Sequence, residues 1–279
     1  MSASTVLYER DGRLARLTLN RPERLNAIND EMPRDLRAAV DEANRDDAVH
    51  VITLGGAGRA FCAGYDLKLY AEQPGHVCSE GDRAWDPMLD YRFMSENTAC
   101  FMSLWRSHKP VICKVHGYAL AGGSDMALAA DLVVMAEDAQ IGYPPARVWG
   151  CPTTAMWLYR IGAERAKRLL LTGDLISGRE AARIGLVCQA VPEAELVKVA
   201  DQLALRMAGI PRNQLMLQKL LINQAYENMG LATTQLLATL FDGMARHTPE
   251  GLAFKARAEK VGFKQAVHER DSGAAIADT

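Results

Sequence analysis

Two glycine-rich stretches, each placed directly after an apolar run, restrict what this chain can become: Phe61-Cys62-Ala63-Gly64-Tyr65-Asp66-Leu67 and Gly117-Tyr118-Ala119-Leu120-Ala121-Gly122-Gly123-Ser124-Asp125. The runs before them, residues 49–54 and 111–115, read as buried strands, and the second stretch opens a helix. Glycines at such turns let bare backbone N–H groups approach a ligand closely. Two N–H groups converging on one carbonyl oxygen form an oxyanion hole. Asp125 stands three residues past Gly122, a candidate donor. The layout suits a site that stabilises an enolate and moves protons beside it.

The rest of the chain alternates strand and helix signals. Residues 6–10 and 14–19 flank Asp11-Gly12 and read as a hairpin. Residues 30–44 and 124–130 have helical spacing, and residues 132–136 read as another strand. The order β-β-α-β-α-β-α-β predicts an α/β layered fold with mostly parallel strands. Residues 71–87, with Pro74, Gly75, Gly81 and Pro87, read as a mobile surface loop and a candidate lid. Beyond about residue 195 the strand signals stop. Residues 193–208, 212–229 and 231–246 give three helical patterns, the last two rich in Leu, Met and Ala. The expected organisation is a core over residues 1–195, a helical region over 196–267 that packs on the core or on another subunit, and a disordered tail over 268–279.

With 49% hydrophobic and 24% charged residues, a sizeable core is within reach, and a net charge of −2 argues against nucleic acid as the main partner. The apolar stretches are short and interrupted, so no membrane span is expected. The six cysteines are scattered without a Cys-x-x-Cys spacing, which reads as free thiols in a reducing cytoplasm. No His-Glu-x-x-His or Cys/His cluster is present, so no metal site is expected. Ser124 is not a nucleophile elbow, because Met126 occupies the place of its second glycine. His108 and His116 read as structural.

Taken alone, each glycine-rich motif also fits an ordinary turn into a helix, with Asp125 a partner of the helix N-terminus rather than a catalytic group. Together, and in their order, the motifs resemble the crotonase superfamily, also called the enoyl-CoA hydratase/isomerase family. The resemblance spans roughly residues 5–265. It rests on Leu19-Asn20-Arg21-Pro22-Glu23-Arg24-Leu25-Asn26-Ala27-Ile28, Arg59-Ala60-Phe61-Cys62-Ala63-Gly64-Tyr65-Asp66-Leu67-Lys68, Lys109-Pro110-Val111-Ile112, the Gly117 to Asp125 stretch and Leu171-Thr172-Gly173-Asp174. The segment Ala181-Ala182-Arg183-Ile184-Gly185-Leu186-Val187 completes it.

The resemblance implies a spiral of ββα repeats with a C-terminal helical region, assembled as a homotrimer or a homohexamer. It implies acyl-CoA thioester substrates, with coenzyme A entering as part of the substrate and no separate cofactor. Carried over by position, the oxyanion donors are the Tyr65 and Gly122 N–H groups. Ala27, Ala63, Asp66, Leu67 and Lys68 border the coenzyme A moiety, and Arg24 is a candidate phosphate contact. One family acid falls on Asp125, an aspartate that reaches about 1.5 Å less than glutamate. The second falls on Pro145, which exchanges no proton. Asp86, Glu80 and Tyr143 are candidate substitutes. Hydration of a trans-2-enoyl-CoA is the expected reaction. The alternatives are double-bond isomerisation with one carboxylate and acyl-CoA binding without turnover.

Overall fold

The computed structural model describes residues 4–72 and 86–273. The hairpin at Asp11-Gly12 forms: β1 (Val6–Asp11) and β2 (Leu14–Leu19) pair antiparallel, Asp11 opposite Leu14. From β2 onward the sheet is parallel. It adds β3 (Val51–Gly56), β4 (Val111–Val115), β6 (Leu132–Ala136) and β9 (Gln189–Val191), in the order β1-β2-β3-β4-β6-β9. Val51, Ile52, Leu54, Val111, Ile112 and Cys113 are fully buried. Such continuous apolar strands are what a parallel sheet covered on both faces requires. A second sheet joins three three-residue strands, β5 (Tyr118–Leu120), β7 (Gln140–Gly142) and β8 (Leu175–Ser177), in the order β5-β7-β8.

Twelve α-helices occur among the described residues. Seven lie before or between the strands' end: α1 (Met32–Arg45), α2 (Leu67–Tyr70), α3 (Pro87–Phe101), α4 (Ser103–Arg106), α5 (Gly122–Leu128), α6 (Met156–Thr172) and α7 (Gly178–Arg183). Five follow: α8 (Glu193–Ala208), α9 (Arg212–Asn228), α10 (Leu231–Arg246), α11 (Pro249–Val261) and α12 (Phe263–Asp271). The stripe Met32, Leu36, Ala39, Val40 and Ala43 buries α1 against β1, β2 and α3. Leu196, Ala200, Ala204 and Ala208 bury α8, which spans β2, β3, β4, β6 and β9. Helix α8 thus belongs to the core, although the expected boundary at residue 195 falls inside its first turn.

The disordered tail expected from residue 268 is contradicted over its first four residues. Residues 268–271 are the last turn of α12, held because Arg270 is buried against the Phe254 ring at 5.6 Å. The far end of the chain is also tied back to the core, since the Phe263 N–H donates to Glu72 Oε1 at 2.9 Å. Most of the candidate lid, residues 73–85, lies outside the described residues, as do residues 274–279. Asp86, expected in that loop, accepts from the Met88 N–H at 2.8 Å and caps α3 with Pro87 in its first turn. Cys62, Cys100 and Cys113 are buried free thiols, whereas Cys188 is exposed. No described helix is long and apolar enough to cross a membrane.

Candidate active site

The two glycine-rich stretches meet. The Cys62 N–H donates to Tyr118 O at 2.9 Å, and the Leu120 N–H returns to Cys62 O at 3.0 Å. This pairs Cys62 with Ala119 as a parallel bridge. Gly64 has φ +96°, and a Cβ there would lie 2.9 Å from Leu120 O. The close approach and the positive φ both demand glycine. A Cβ on Gly122 would lie 2.7 Å from Tyr65 Cε2 and 2.8 Å from Ile28 Cδ1, so the bare Gly122 backbone rests on the Tyr65 ring.

Between them, Ala121 takes φ 50° and ψ −125°, a conformation costing about 1–3 kcal/mol for a residue with a side chain. Its N–H donates to Gly142 O, and its carbonyl accepts from the Ser124 and Asp125 N–H groups, so the surroundings hold the strain. The next N–H, that of Gly122, and the N–H of Tyr65 donate to no other described residue. Both backbone donors thus lie on the loops that Gly64 and Ala121 bring together, and both keep their N–H unused by the described residues.

Residues 20–28 brace this arrangement. Asn26 is fully buried and donates to Ala57 O and Ala60 O, each at 2.8 Å, while accepting from the Arg21 N–H. The Ala63 N–H donates to Leu25 O at 3.0 Å. Arg21 pairs with Asp66 at 3.1 Å and donates to Ala27 O. Asp66 and Ala27 thus hold the loop in shape, while Arg24 and Lys68 are exposed.

Beside the donors lies a cavity of about 310 Å³. Ala63, Tyr65 and Leu67 line it, with Leu120 and Ala121 from the second stretch and Tyr143, Pro145 and Trp149 from the loop after β7. The C-terminal helices supply Asp242, Arg246, Phe263, Val267, Arg270 and Asp271. Arg24, Lys68 and Asp125 are not in this wall. Asp125 is 2% exposed and accepts a 2.5 Å hydrogen bond from Thr154 Oγ1. Burial raises its pKa from 3.8 to about 7; the Thr154 bond opposes the rise and nearby Asp242 adds to it. Near neutral pH it is therefore poised between acid and base.

Tyr143 lies in the wall, but its hydroxyl donates to Cys151 O at 2.7 Å. Burial, then Asp125 and Asp242, pushes its pKa well up, so it stays a neutral phenol. Arg147 turns outward, bridging Asp271 at 3.0 Å and Asp174 at 3.7 Å. Trp149 has φ 89° and packs on Phe254 at 5.5 Å. Trp149 Nε1 and Arg246 Nε are buried without a partner among the described residues, which leaves the wall two donors for water or a polar substituent. The described residues hold no group of three or more His, Cys, Asp or Glu that could bind a metal ion.

The sequence reading passed over Asp242. It is 3% exposed and is the one acid of α10, four residues before Arg246. That solitary acid in a Leu- and Ala-rich helix was the available signal, but nothing local says which neighbour it meets.

A family model described as enoyl-CoA hydratase/isomerase matches residues 9–265. The chain belongs to this family. Its structure superposes on a crystal structure of an enoyl-CoA hydratase from Mycobacterium smegmatis with TM-score 0.91 and 48% identity, covering 98% of this chain and 94% of that one. An enoyl-CoA hydratase/isomerase from Xanthobacter autotrophicus Py2 gives TM-score 0.89 at 30% identity, covering 98% and 100% of the two chains. The 1,2-epoxyphenylacetyl-CoA isomerase of Escherichia coli K12 is 36% identical over 220 residues, 76% of this chain and 79% of that one. The mixed α/β architecture with its helical end is thus the crotonase fold. Hydratases and isomerases both stand among these relatives, so kinship leaves the individual reaction open within the enoyl-CoA hydratase/isomerase family.

Proposed function

We propose that this chain hydrates trans-2-enoyl-CoA thioesters through an enolate held by the Tyr65 and Gly122 N–H groups. The observation that carries the reading is the pair of free backbone donors on two loops brought together by Gly64 and the strained Ala121 beside a mostly apolar cavity. The thioester oxygen takes both hydrogen bonds, and charge moving onto it from the double bond is stabilised without reorganisation. Asp125, protonated part of the time near pH 7, supplies or takes the proton at C2. Arg24 and Lys68, exposed near the braced loop, contact the coenzyme A phosphates, and coenzyme A is the only carrier group needed.

Isomerisation is the second reading. It is favoured by Pro145, which puts no acid in that part of the wall, and by the kinship with the 1,2-epoxyphenylacetyl-CoA isomerase. The test is product analysis with crotonyl-CoA and a longer 2-enoyl-CoA in heavy-oxygen water. A 3-hydroxyacyl-CoA carrying solvent oxygen establishes hydration. A shifted double bond without oxygen uptake establishes isomerisation. Tight binding without either product leaves a non-catalytic binder.

The same reading includes assembly as a homotrimer or homohexamer in the cytoplasm. Its support is the exposed apolar surface of the late helices, with Leu217, Leu221 and Ile222 on α9 and Leu237, Phe241 and Met244 on α10.

A further inference from the structure

We infer that Asp242, carried on the C-terminal helix α10, is a second proton-transfer carboxylate of this site and works directly on the bound enoyl group. The inference rests on the enolate reading above.

Position is the first argument. Of the acids among the described residues, Asp242 and Asp271 line the cavity, whereas Asp125 does not. Asp271 is engaged at the rim by Arg147 at 3.0 Å and Arg270 at 2.8 Å. Asp242 is buried in the wall among Tyr65, Tyr143, Pro145 and Trp149.

Its mounting is the second. Oδ1 accepts from the Cys151 N–H at 3.0 Å, and Oδ2 accepts from the Arg246 guanidinium. Each oxygen keeps lone-pair capacity beyond the one bond it accepts. A carboxylate held from two directions, by a loop and by its own helix, is fixed in place yet still able to take a proton. Gly150 keeps the approach clear: a Cβ there would lie 3.1 Å from Asp242 Oδ1, 3.2 Å from Pro145 Cβ and 3.6 Å from the Tyr143 hydroxyl. The Asp242 carboxylate and Pro145 therefore lie on either side of the Gly150 backbone.

Charge is the third argument. Arg246 is shared by two buried carboxylates, Asp242 and Asp90, the latter on α3 at 2.7 Å and 1% exposed. His247 Nδ1 lies 3.1 Å from Asp90 Oδ2. Asp90, the second carboxylate on Arg246, favours a proton on Asp242, because one buried negative charge raises the affinity of its neighbour for a proton. The other titratable groups around Asp242 are Asp125 on α5, Tyr65, Tyr143 and Cys151. Burial raises the Asp242 pKa, while Arg246 and the Cys151 N–H pull it back.

In the hydration direction the step balances. Water forms a bond from its oxygen to C3 and gives a proton to the Asp242 carboxylate. The π pair moves through C2 onto the thioester oxygen, held by the Tyr65 and Gly122 N–H groups. The enolate then takes a proton at C2 from the Asp125 carboxylic acid. Solvent returns a proton to Asp125 and removes one from Asp242, which resets both groups.

The decisive experiment compares wild type, Asp242→Asn and Asp242→Glu for crotonyl-CoA turnover across pH, with butyryl-CoA affinity and melting temperature measured on the same samples. The asparagine keeps the shape and lacks the base; Arg246 retains Asp90. We expect Asp242→Asn to lower kcat about 100-fold or more, with KM and butyryl-CoA affinity within a few fold of wild type. Asp242→Glu should recover part of kcat and displace the acidic limb of the pH profile. A purely structural carboxylate would move the melting temperature and leave that limb in place. An active wild type with Asp242→Asn within about threefold in kcat overturns this inference alone. If the asparagine variant does not fold, an unmoved acidic limb in Asp242→Glu overturns it instead. A wild type inert toward enoyl-CoA substrates that it binds overturns the enolate reading, and this inference with it.

Discussion

The cavity is built by two halves of the molecule that use opposite means. The α/β core lines it with Tyr65, Tyr143 and Trp149 and sets backbone beside it, the N–H groups of Tyr65 and Gly122, placed by glycines that admit no side chain. From the C-terminal helices come side chains, Asp242, Arg246 and Arg270, placed by buried ion pairs and ring contacts. The core half stores its precision in sterics, which leave few alternatives. The helical half stores its precision in electrostatics, which can be retuned by one substitution without disturbing the sheet. A fold divided this way can keep one intermediate and change the proton chemistry around it.

Asp125 belongs to the core half, and Asp125→Asn is the largest expected effect on turnover. A removed acid/base costs about 10²–10⁴-fold in kcat, measured on crotonyl-CoA. If Asp125→Asn is harmless while Asp242→Asn is not, proton transfer belongs to the helical half alone and the division is sharper than drawn here. The same variant has a pH signature in stability. Burial raises the folded pKa of Asp125 from 3.8 to about 7, so the folded chain binds this proton more tightly than the unfolded chain does. The stabilisation is present at low pH and is lost as pH rises through about 7. Relative to wild type, Asp125→Asn should therefore gain in melting temperature as pH rises from about 4 to about 7, with no further change above that. A constant difference would place the ionisation elsewhere.

Gly122→Ala comes next. The added methyl meets the Tyr65 ring and Ile28, which displaces one donor of the pair. Loss of one such donor costs about 10²–10³-fold in kcat, and the cost should fall on kcat more than on butyryl-CoA affinity. Equal losses in both would show the ring contact to be a binding feature rather than an oxyanion device.

Arg246→Met probes the helical half. It removes the guanidinium that Asp90 and Asp242 share in the interior and should cost about 3–5 kcal/mol in denaturant unfolding. The control is Arg183→Met, whose exposed pair with Glu180 is screened by solvent and should leave the unfolding midpoint nearly unmoved. Comparable costs at the two sites would mean that water reaches the Arg246 cluster. Smallest of all, Arg24→Ala should leave stability within about 0.5 kcal/mol and raise KM no more than about fivefold, less at high salt. A larger rise would place a phosphate directly on Arg24.

Legibility cut across this divide. Helix α8 agrees with its apolar spacing over Glu193–Ala208, and α10 with its own over Leu231–Arg246. Helix α6 escaped, because Arg160, Glu164, Arg165, Lys167 and Arg168 dilute its apolar face and Gly162 interrupts its backbone. Strands β5, β7, β8 and β9 escaped because three residues are too few for an alternating pattern to show. Asp86-Pro87 carries a helix-start signal that the polar residues before it obscured. Helices α11 and α12 continue the helical end past residue 246, packing Phe254 behind Trp149 and bringing Val267 to the cavity wall.

Where backbone geometry leaves no choice of residue, as at Gly64 and Gly122, the chain announces its structure locally, and the two glycine-rich turns could be singled out before any fold was known. Asp242 and Arg246 are ordinary helix residues until α10 packs against α3 and the loop at Cys151. Their burial, their shared charge and their place in the cavity wall arise from contacts between residues far apart in the chain. Desolvation and Coulomb coupling are properties of the assembled interior, so no stretch of sequence read by itself contains them.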